Sequence, residues 1–386
     1  MAELSDIKNT TSSDESSSIP EDLLTEIFAR MPAKALIKLR SVCKAWRSII
    51  DSSHFISLHL QTYEKNLNDN NLLVWNCTKQ SKYSTRYSSC SKTFKETELL
   101  FEIPENCNLL GSFCGLILIK DYSRGEIELY NPFIKKSVLI PSCPFESAHV
   151  RYLAGFVPSS NDCKVTAFLE TNTLTKPEVL IAVYSLKDNL WRIKDKLDIH
   201  VPGYFSWHLG TGHIFFKGAM YWIGDFYFYQ DQALTSNPCL VSWDFNGEEF
   251  KFVDLPDDAK LCPVVFNFLL CKSMAVFAMS SECAYYIWVL VTDGAENSWR
   301  FWNSGYSDMD VFGILRNITL TKIYDADNNI FVVQRNGELY SYDYVYNKIP
   351  QLKDYTDGPA LFYLFEPYVE SLMLHKGKQE HTSTFN

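Results

Sequence analysis

The sequence predicts an α+β chain: a cluster of short amphipathic helices at the N-terminus, then a mostly β domain arranged as a β-propeller. Three observations predict it. Aromatic residues make up 15% of the 386 residues against only 16 Gly and 15 Pro, and aromatic rings lose less freedom on a pleated surface than against a helical turn. Apolar residues recur at helical spacing only between Ile19 and about residue 65. Beyond that, alternating apolar and aromatic runs separated by Gly, Asn, Asp and Pro return about every 50 residues. An apolar share of 46% with 21% charged residues supports a buried core, and the length calls for more than one folding unit.

Residues 1–17 read as a disordered acidic tail, because seven of the nine residues from Thr10 to Ser18 are Ser or Thr and the other two are Asp14 and Glu15. The start of the chain carries no apolar core segment of a secretory signal, and no 18-residue apolar run follows. The expected location is therefore the cytoplasm or nucleus, with no membrane partner. In that reducing setting the 11 cysteines, an odd number without regular spacing, read as buried thiols.

The helical module is expected over residues 18–65. Ser18-Ile19-Pro20-Glu21 offers a hydroxyl three residues before a Glu, the pattern of a capping box. Ile19, Leu23, Leu24, Ile27, Phe28 and Met31 then recur at helical spacing until Pro32 interrupts them, and a second helix runs from Ala33 to about Leu39. Ser41 is placed to cap a third helix, with Val42, Trp46, Ile49 and Ile50 on one face. A fourth, from about His54 to Lys65, carries Phe55, Leu58 and Leu60. Helices this short expose more apolar area than they can bury among themselves, which leaves either a partner or the rest of the chain to cover the excess.

These residues also carry a resemblance. Ile19-Pro20-Glu21-Asp22-Leu23-Leu24, Ile27-Phe28-Ala29-Arg30-Met31-Pro32-Ala33-Lys34, Arg40-Ser41-Val42-Cys43-Lys44-Ala45-Trp46-Arg47, His54-Phe55 and His59-Leu60 resemble, in order and spacing, the F-box of plant F-box proteins. Ile19 and Met31 stand where that family more often has Leu, swaps that keep volume. The resemblance implies docking into the Skp-type adaptor of a cullin-RING (SCF) ubiquitin ligase. Contacts would come from Ile19, Pro20, Leu23, Leu24, Ile27, Phe28, Met31, Pro32, Leu36, Val42 and Trp46. It implies catalysis by other subunits, with this chain selecting what is ubiquitylated.

Residues 66–94 read as a connecting segment, in which the Ser-, Lys- and Tyr-rich stretch from Thr78 to Lys92 is an exposed loop. The β domain is expected over 95–375, with 376–386 a C-terminal tail. Within it an outer strand recurs at Tyr130, Tyr184, Trp243, Trp288 and Tyr342, at intervals of 54, 59, 45 and 54. Each is followed by a second run, as in Val138-Leu139-Ile140, Leu190-Trp191-Arg192-Ile193 and Trp299-Arg300-Phe301-Trp302. Meanders that cannot bury their own faces stack radially at such a kelch-like period, the alternative being a β-sandwich of similar strand count. Gly111-Ser112-Phe113-Cys114-Gly115-Leu116, Tyr130-Asn131-Pro132 and Ala154-Gly155-Phe156 further resemble the F-box-associated interaction domain, including the S-locus F-box group. That last group implies a pistil ribonuclease as target, in self-incompatibility.

No catalytic constellation emerges, so the chain reads as no enzyme. In Gly111-Ser112-Phe113-Cys114-Gly115 the central position of a nucleophile elbow holds Phe113, and the glycines instead turn the chain into a buried strand. His208 and His213 flank a glycine loop without a third ligand, and no Cys-x-x-Cys occurs, so no metal or other cofactor is expected. Asp257-Asp258 and Glu248-Glu249 read as solvated turn carboxylates.

Net charge is −10, which excludes a nucleic-acid partner that would need a basic face. The first 18 residues carry −3 and residues 19–62 carry +2, so −9 remains on the rest. Lys34, Lys38, Arg40, Lys44 and Arg47 read mainly as a solvated face, with some of them available to acidic groups of an adaptor. The acidic domain favours a basic target, for which Asp257, Asp258, Asp308 and Asp310 are the expected loop contacts. A competing reading is a ligand or glycan binder, using aromatics such as Trp207, Tyr227 and Tyr229.

Overall fold

Prolines set the first two helices: with φ fixed near −55°, Pro20 and Pro32 stand at the N-caps of α1 (Glu21–Ala29) and α2 (Ala33–Leu39). Neither has a side-chain cap, and Ser18, expected to open a capping box, lies outside the described residues. α3 (Lys44–Ile50) begins two residues later than Ser41 suggests. Its cap is Cys43, whose Sγ accepts the Trp46 N–H at 3.5 Å, while Ser41 donates to the Lys38 carbonyl at 2.7 Å and closes α2. α4 (Ser53–Asn66) is capped by Ser52 Oγ, 3.1 Å from Phe55 N. The computed structural model describes residues 19–66, 71–77, 82–88, 95–104, 106–147, 149–171, 178–197, 204–206, 213–230, 233–270, 273–293, 296–309, 312–313, 330–335, 338–343, 351–353, 363–367 and 369–374. The tail and His208, Trp207 and Asp310 lie outside them.

Among the described residues, twenty-four strands follow. β1 (Asn71–Cys77), β2 (Lys82–Ser88) and β3 (Lys95–Ile103) open the β domain. β4 (Cys107–Phe113), β5 (Leu116–Asp121), β6 (Glu126–Asn131) and β7 (Lys136–Ile140) make one antiparallel sheet. β8 (Arg151–Val157), β9 (Asp162–Thr171), β10 (Glu178–Ser185) and β11 (Leu190–Leu197) make the next. β12 (Tyr204–Ser206) and β13 (Ile214–Phe216) share one edge of β14 (Ala219–Gln230), followed by β15 (Ala233–Asp244) and β16 (Glu249–Asp254). After the short helix α5 (Asp257–Lys260) come β17 (Val264–Leu270), β18 (Ser273–Met279), β19 (Ala284–Asp293) and β20 (Glu296–Tyr306). β21 (Ile330–Arg335), β22 (Glu338–Asp343) and β23 (Gln351–Lys353) form a sixth sheet, and β24 (Tyr363–Pro367) pairs back onto β1.

Six separate antiparallel sheets replace the sandwich alternative. Their leading strands touch in turn, β24 against β4, β4 against β8, and β8 and β17 against β14, which sets the sheets around a common axis as propeller blades. The last strand, β24, completes the first blade by pairing with β1. One expectation fails here: the polar stretch Thr78–Lys92 contains β2, paired without interruption with β1 and, with register shifts at Ser84/Thr85 and Arg86/Tyr87, with β3, so the β domain starts at Asn71 rather than residue 95. Hydrogen bonding to a strand on either side sustains a sequence with little apolar character of its own.

The aromatic anchors fall on corresponding strands. Tyr130, Tyr184 and Trp243 end β6, β10 and β15 at 1%, 0% and 0% exposure, each flanked by a strand on both sides. They are thus the third strand of the blade rather than the outer strand expected, and the run that follows each of them is the rim. The residue after each anchor caps the next turn: Asn131 Oδ1 accepts from Phe133 N at 3.0 Å, Ser185 Oγ from Asp188 N at 3.1 Å and Asp244 Oδ1 from Asn246 N at 2.9 Å. Blades are latched to one another by indole N–H groups. Trp191 donates to the Pro141 carbonyl at 2.8 Å, and Trp299 to that of Asp254 at 2.6 Å.

Candidate functional site

Because the strands alternate in direction, each blade has two ends. The turns 114–115, 132–135, 158–161, 186–189, 217–218 and 245–248 lie at one, and the turns and links 122–125, 141–150, 255–263, 280–283 and 307–309 at the other. The helical module sits on the first end. Asn161, in the left-handed region at φ 51°, accepts a hydrogen bond from Ser57 and donates to the Ser53 carbonyl at 3.3 Å, joining α4 to the β8–β9 turn. Phe28, Leu36, Ile50, Phe55 and Leu60 continue without a break into a core with Phe113, Cys114, Phe156, Leu372 and Met373. Cys114 is buried there in the two-residue turn with Gly115 (φ 51° and 77°), as the sequence suggests.

What remains on the outside of the module is apolar. Ile19, Leu23 and Ile27, four residues apart along the start of the chain and α1, are 53%, 52% and 50% exposed, and Val42 before α3 is 60% exposed. Pro20 and Pro32 are exposed beside them, while Leu24, Met31 and Trp46 are half-buried against the core. Phe28 and Leu36, expected as contacts, are instead interior at 3% and 0%. Phe28 carries Trp46 edge-on at 5.2 Å and Phe55 at 6.5 Å, so these two residues hold the surface in shape from below. Covering a large apolar side chain is worth about 1.5–3 kcal/mol, enough for this stripe to anchor a partner.

The charges of the module are partly internal. Arg40 grips buried Asp51 through two hydrogen bonds of 2.5 and 3.0 Å, with Arg47 3.6 Å away, which takes Arg40 out of the expected solvated face. His59 is buried with Nε2 2.8 Å from the Met31 carbonyl, and burial lowers its pKa, so it serves the hinge between α1 and α2 as a neutral donor.

On the opposite end lie the acidic residues singled out as target contacts. Asp257 and Asp258 are exposed, but they form the first turn of α5 rather than a loop, and Asp257 pairs with Lys260 at 3.3 Å. Asp308 is exposed on the next link, its carbonyl accepting from Phe312 N at 3.1 Å. Glu248, expected in a solvated turn, is buried at 6%, with Lys164 at 2.8 Å, Arg192 at 2.7 Å and Lys194 at 3.6 Å, a clasp between two blades. Among the described residues no group of three or more His, Cys, Asp or Glu could hold a metal ion.

Comparison with known proteins agrees with both halves of this arrangement. A family model described as F-box domain matches residues 16–58, and one described as F-box associated beta propeller domain matches residues 63–347. An Arabidopsis thaliana F-box protein, At3g17480, is 25% identical over 94% of this chain and 99% of its own length. The F-box/kelch-repeat protein At3g23880 of the same plant is 25% identical over 73% of this chain and 78% of its own. The F-box protein At3g26010, also 25% identical, is matched over 62% of this chain and 55% of its own. Among solved structures, the β-propeller domain of the trilobed protease from Pyrococcus furiosus superposes with a TM-score of 0.34 at 9% identity, over 75% of this chain and 93% of that one.

Proposed function

The chain belongs to the F-box proteins that carry an F-box associated beta propeller domain, and on that premise we propose that it is the substrate-recognition subunit of an SCF-type E3 ubiquitin ligase. The observation that carries this is the exposed stripe Ile19, Leu23, Ile27 and Val42 on a helical module whose other side is built into the propeller core. The Skp-type adaptor covers the stripe, and through it cullin and RING subunits are brought to the complex. The far end of the propeller presents Asp257, Asp258 and Asp308 to a target. A shared core between module and propeller holds the two surfaces at a fixed relative orientation, so the chain supplies proximity rather than chemistry.

The finer part of the reading is the target, a basic protein that complements the −9 carried beyond residue 62. The S-locus resemblance makes a pistil ribonuclease its first test case, with the cytoplasm or nucleus as the compartment. Co-expression of the full chain with a Skp-type adaptor tests the reading: the two should co-elute from a sizing column as a stoichiometric complex that recruits cullin. Separate elution of a folded chain would overturn it.

A further inference from the structure

The far end of the propeller also holds a cation that no carboxylate pairs among the described residues. β5 is buried from Leu116-Ile117-Leu118-Ile119 through Lys120, its penultimate residue, only 8% exposed. The Lys120 ammonium lies 5.0 Å from the ring centroid of Tyr122, on the β5–β6 turn, and 5.0 Å from that of Tyr152, at the start of β8 in the next blade. The thiol of Cys143, on the link between the two blades, faces the same charge and is hydrogen bonded to Tyr152.

Elsewhere in the chain, cations drawn into the fold are matched by an acid: Arg40 by Asp51, and Lys164 and Lys194 by Glu248. Lys120 has no ion pair of this kind among the described residues. Its chain neighbour Asp121 is committed elsewhere, with Oδ1 accepting from Ser123 N at 2.8 Å and Arg124 N at 3.2 Å, and Oδ2 3.8 Å from Arg124 Nε. Two aromatic faces stabilise a cation but take none of the three N–H donors as a lone pair would. Burial lowers the Lys120 pKa, as expected for a charge that is only partly compensated. Tyr122 is 55% exposed, so one wall of the clamp opens to solvent.

We infer that Lys120, Tyr122 and Tyr152 form an anion-binding subsite, taking a carboxylate or phosphoryl group presented by a partner protein on the propeller end opposite the helical module. An arriving oxyanion would meet a preplaced ammonium in a poorly hydrated slot, where a charge-assisted hydrogen bond gains most. The subsite complements the acidic connections. A target held by its basic surface on Asp257, Asp258 and Asp308 is oriented by one acidic group seated at Lys120. Only the identity of the occupant rests on the substrate-receptor reading, since the anion can be assayed without adaptor.

The test uses the full chain labelled with 13C at lysine Cε and 15N at Nζ. Between two tyrosine rings the Lys120 signals are displaced by ring currents from those of solvated lysines, and their loss in Lys120→Met assigns them. Titration with inorganic phosphate, and separately with acetate, should shift the Lys120 signals saturably, beyond the effect of chloride at equal ionic strength. Tyr122→Ala, at a mostly exposed position, should weaken that binding about fivefold with an unchanged melting temperature, and it provides the assay should Lys120→Met not fold. Saturation by phosphate only assigns a phosphorylated partner, and saturation by acetate as well assigns any acidic one. Shifts no larger than with chloride would overturn the subsite. Adaptor co-elution of the same samples separates that failure from failure of the ligase reading.

Discussion

Asn131 Nδ2 donates to the carbonyl of Met373 at 2.8 Å, joining the end of β6 to a segment 242 residues later. The same nitrogen reaches the Ser371 carbonyl at 3.0 Å, and the side-chain oxygen caps the β6–β7 turn. One fully buried side chain therefore holds the C-terminal segment, which packs into the core shared with the helical module. Gly115 makes room for it: at φ 77°, a Cβ there would lie 2.2 Å from the Val369 carbonyl.

Asn131→Ala should accordingly cost more than a single hydrogen bond, because it strands two buried carbonyls and two turn N–H groups at once. We expect a loss of about 2–4 kcal/mol, read as a lower urea midpoint in equilibrium unfolding. A midpoint within error of wild type would show that the C-terminal segment is held by other contacts.

The two classes of apolar residue in the helical module should behave differently. Leu23→Asp with Ile27→Asp changes residues about half exposed, so adaptor co-elution should be lost while the melting temperature stays near wild type. Leu36→Ala opens a cavity in the core and should cost about 2–5 kcal/mol, lowering the melting temperature. Adaptor binding that survives the double Asp variant would move the docking surface elsewhere.

Much of this was legible in the sequence, and the parts that were not share a cause. The helices could be read because their apolar spacing is local, and the blades because an aromatic strand returns at Tyr130, Tyr184 and Trp243, at intervals of 54 and 59. β2 could not, since Lys82–Ser88 has little apolar patterning and exists through ladders to β1 and β3. Nor could Phe28 be told from Ile27, neighbours on one helix of which a single one faces inward. The acid Glu248 looked solvated because its partners Lys194, Arg192 and Lys164 are 54, 56 and 84 residues away. Long-range pairing leaves no period to read.

Glu248 also gives the fold a defined acid response. Burial raises its pKa, but hydrogen bonding and charge from Lys164, then Arg192, outweigh that and hold the carboxyl below its ordinary 4.5. A carboxylate whose folded pKa is depressed contributes stability above its unfolded value and loses it as pH falls through the folded one. Wild type should therefore lose stability below about pH 4.5 more steeply than Glu248→Gln. At neutral pH the variant should be weaker by about 1–3 kcal/mol, having lost its charge-assisted bonds. Thermal melts of both proteins between pH 3 and pH 7 measure this, and parallel curves would remove Glu248 as the source.

Selection of a basic target by the acidic connections makes the last prediction. Exposed charges act over a Debye length of about 8–10 Å near physiological salt, so target association should slow steeply as ionic strength rises. Adaptor docking, dominated by the apolar stripe of α1, should barely respond. Asp257, Asp258, Asp308 and Asp310 are the groups to neutralise, and their conversion to Asn should lower the association rate and flatten its salt dependence. Asp257 and Asp258 also sit in the first turn of α5, where two acids favour the helix. That contribution is about 0.3–1 kcal/mol each at an exposed position, too little to unfold a blade whose neighbouring Leu255 and Ala259 are buried. A slower rate with unchanged melting therefore reports steering rather than damage. The measurement is a stopped-flow or surface-based association rate of the full chain with a basic target, at low and high salt, for wild type and the fourfold variant. Equal, salt-independent rates for both would take electrostatic selection by these four residues out of the mechanism.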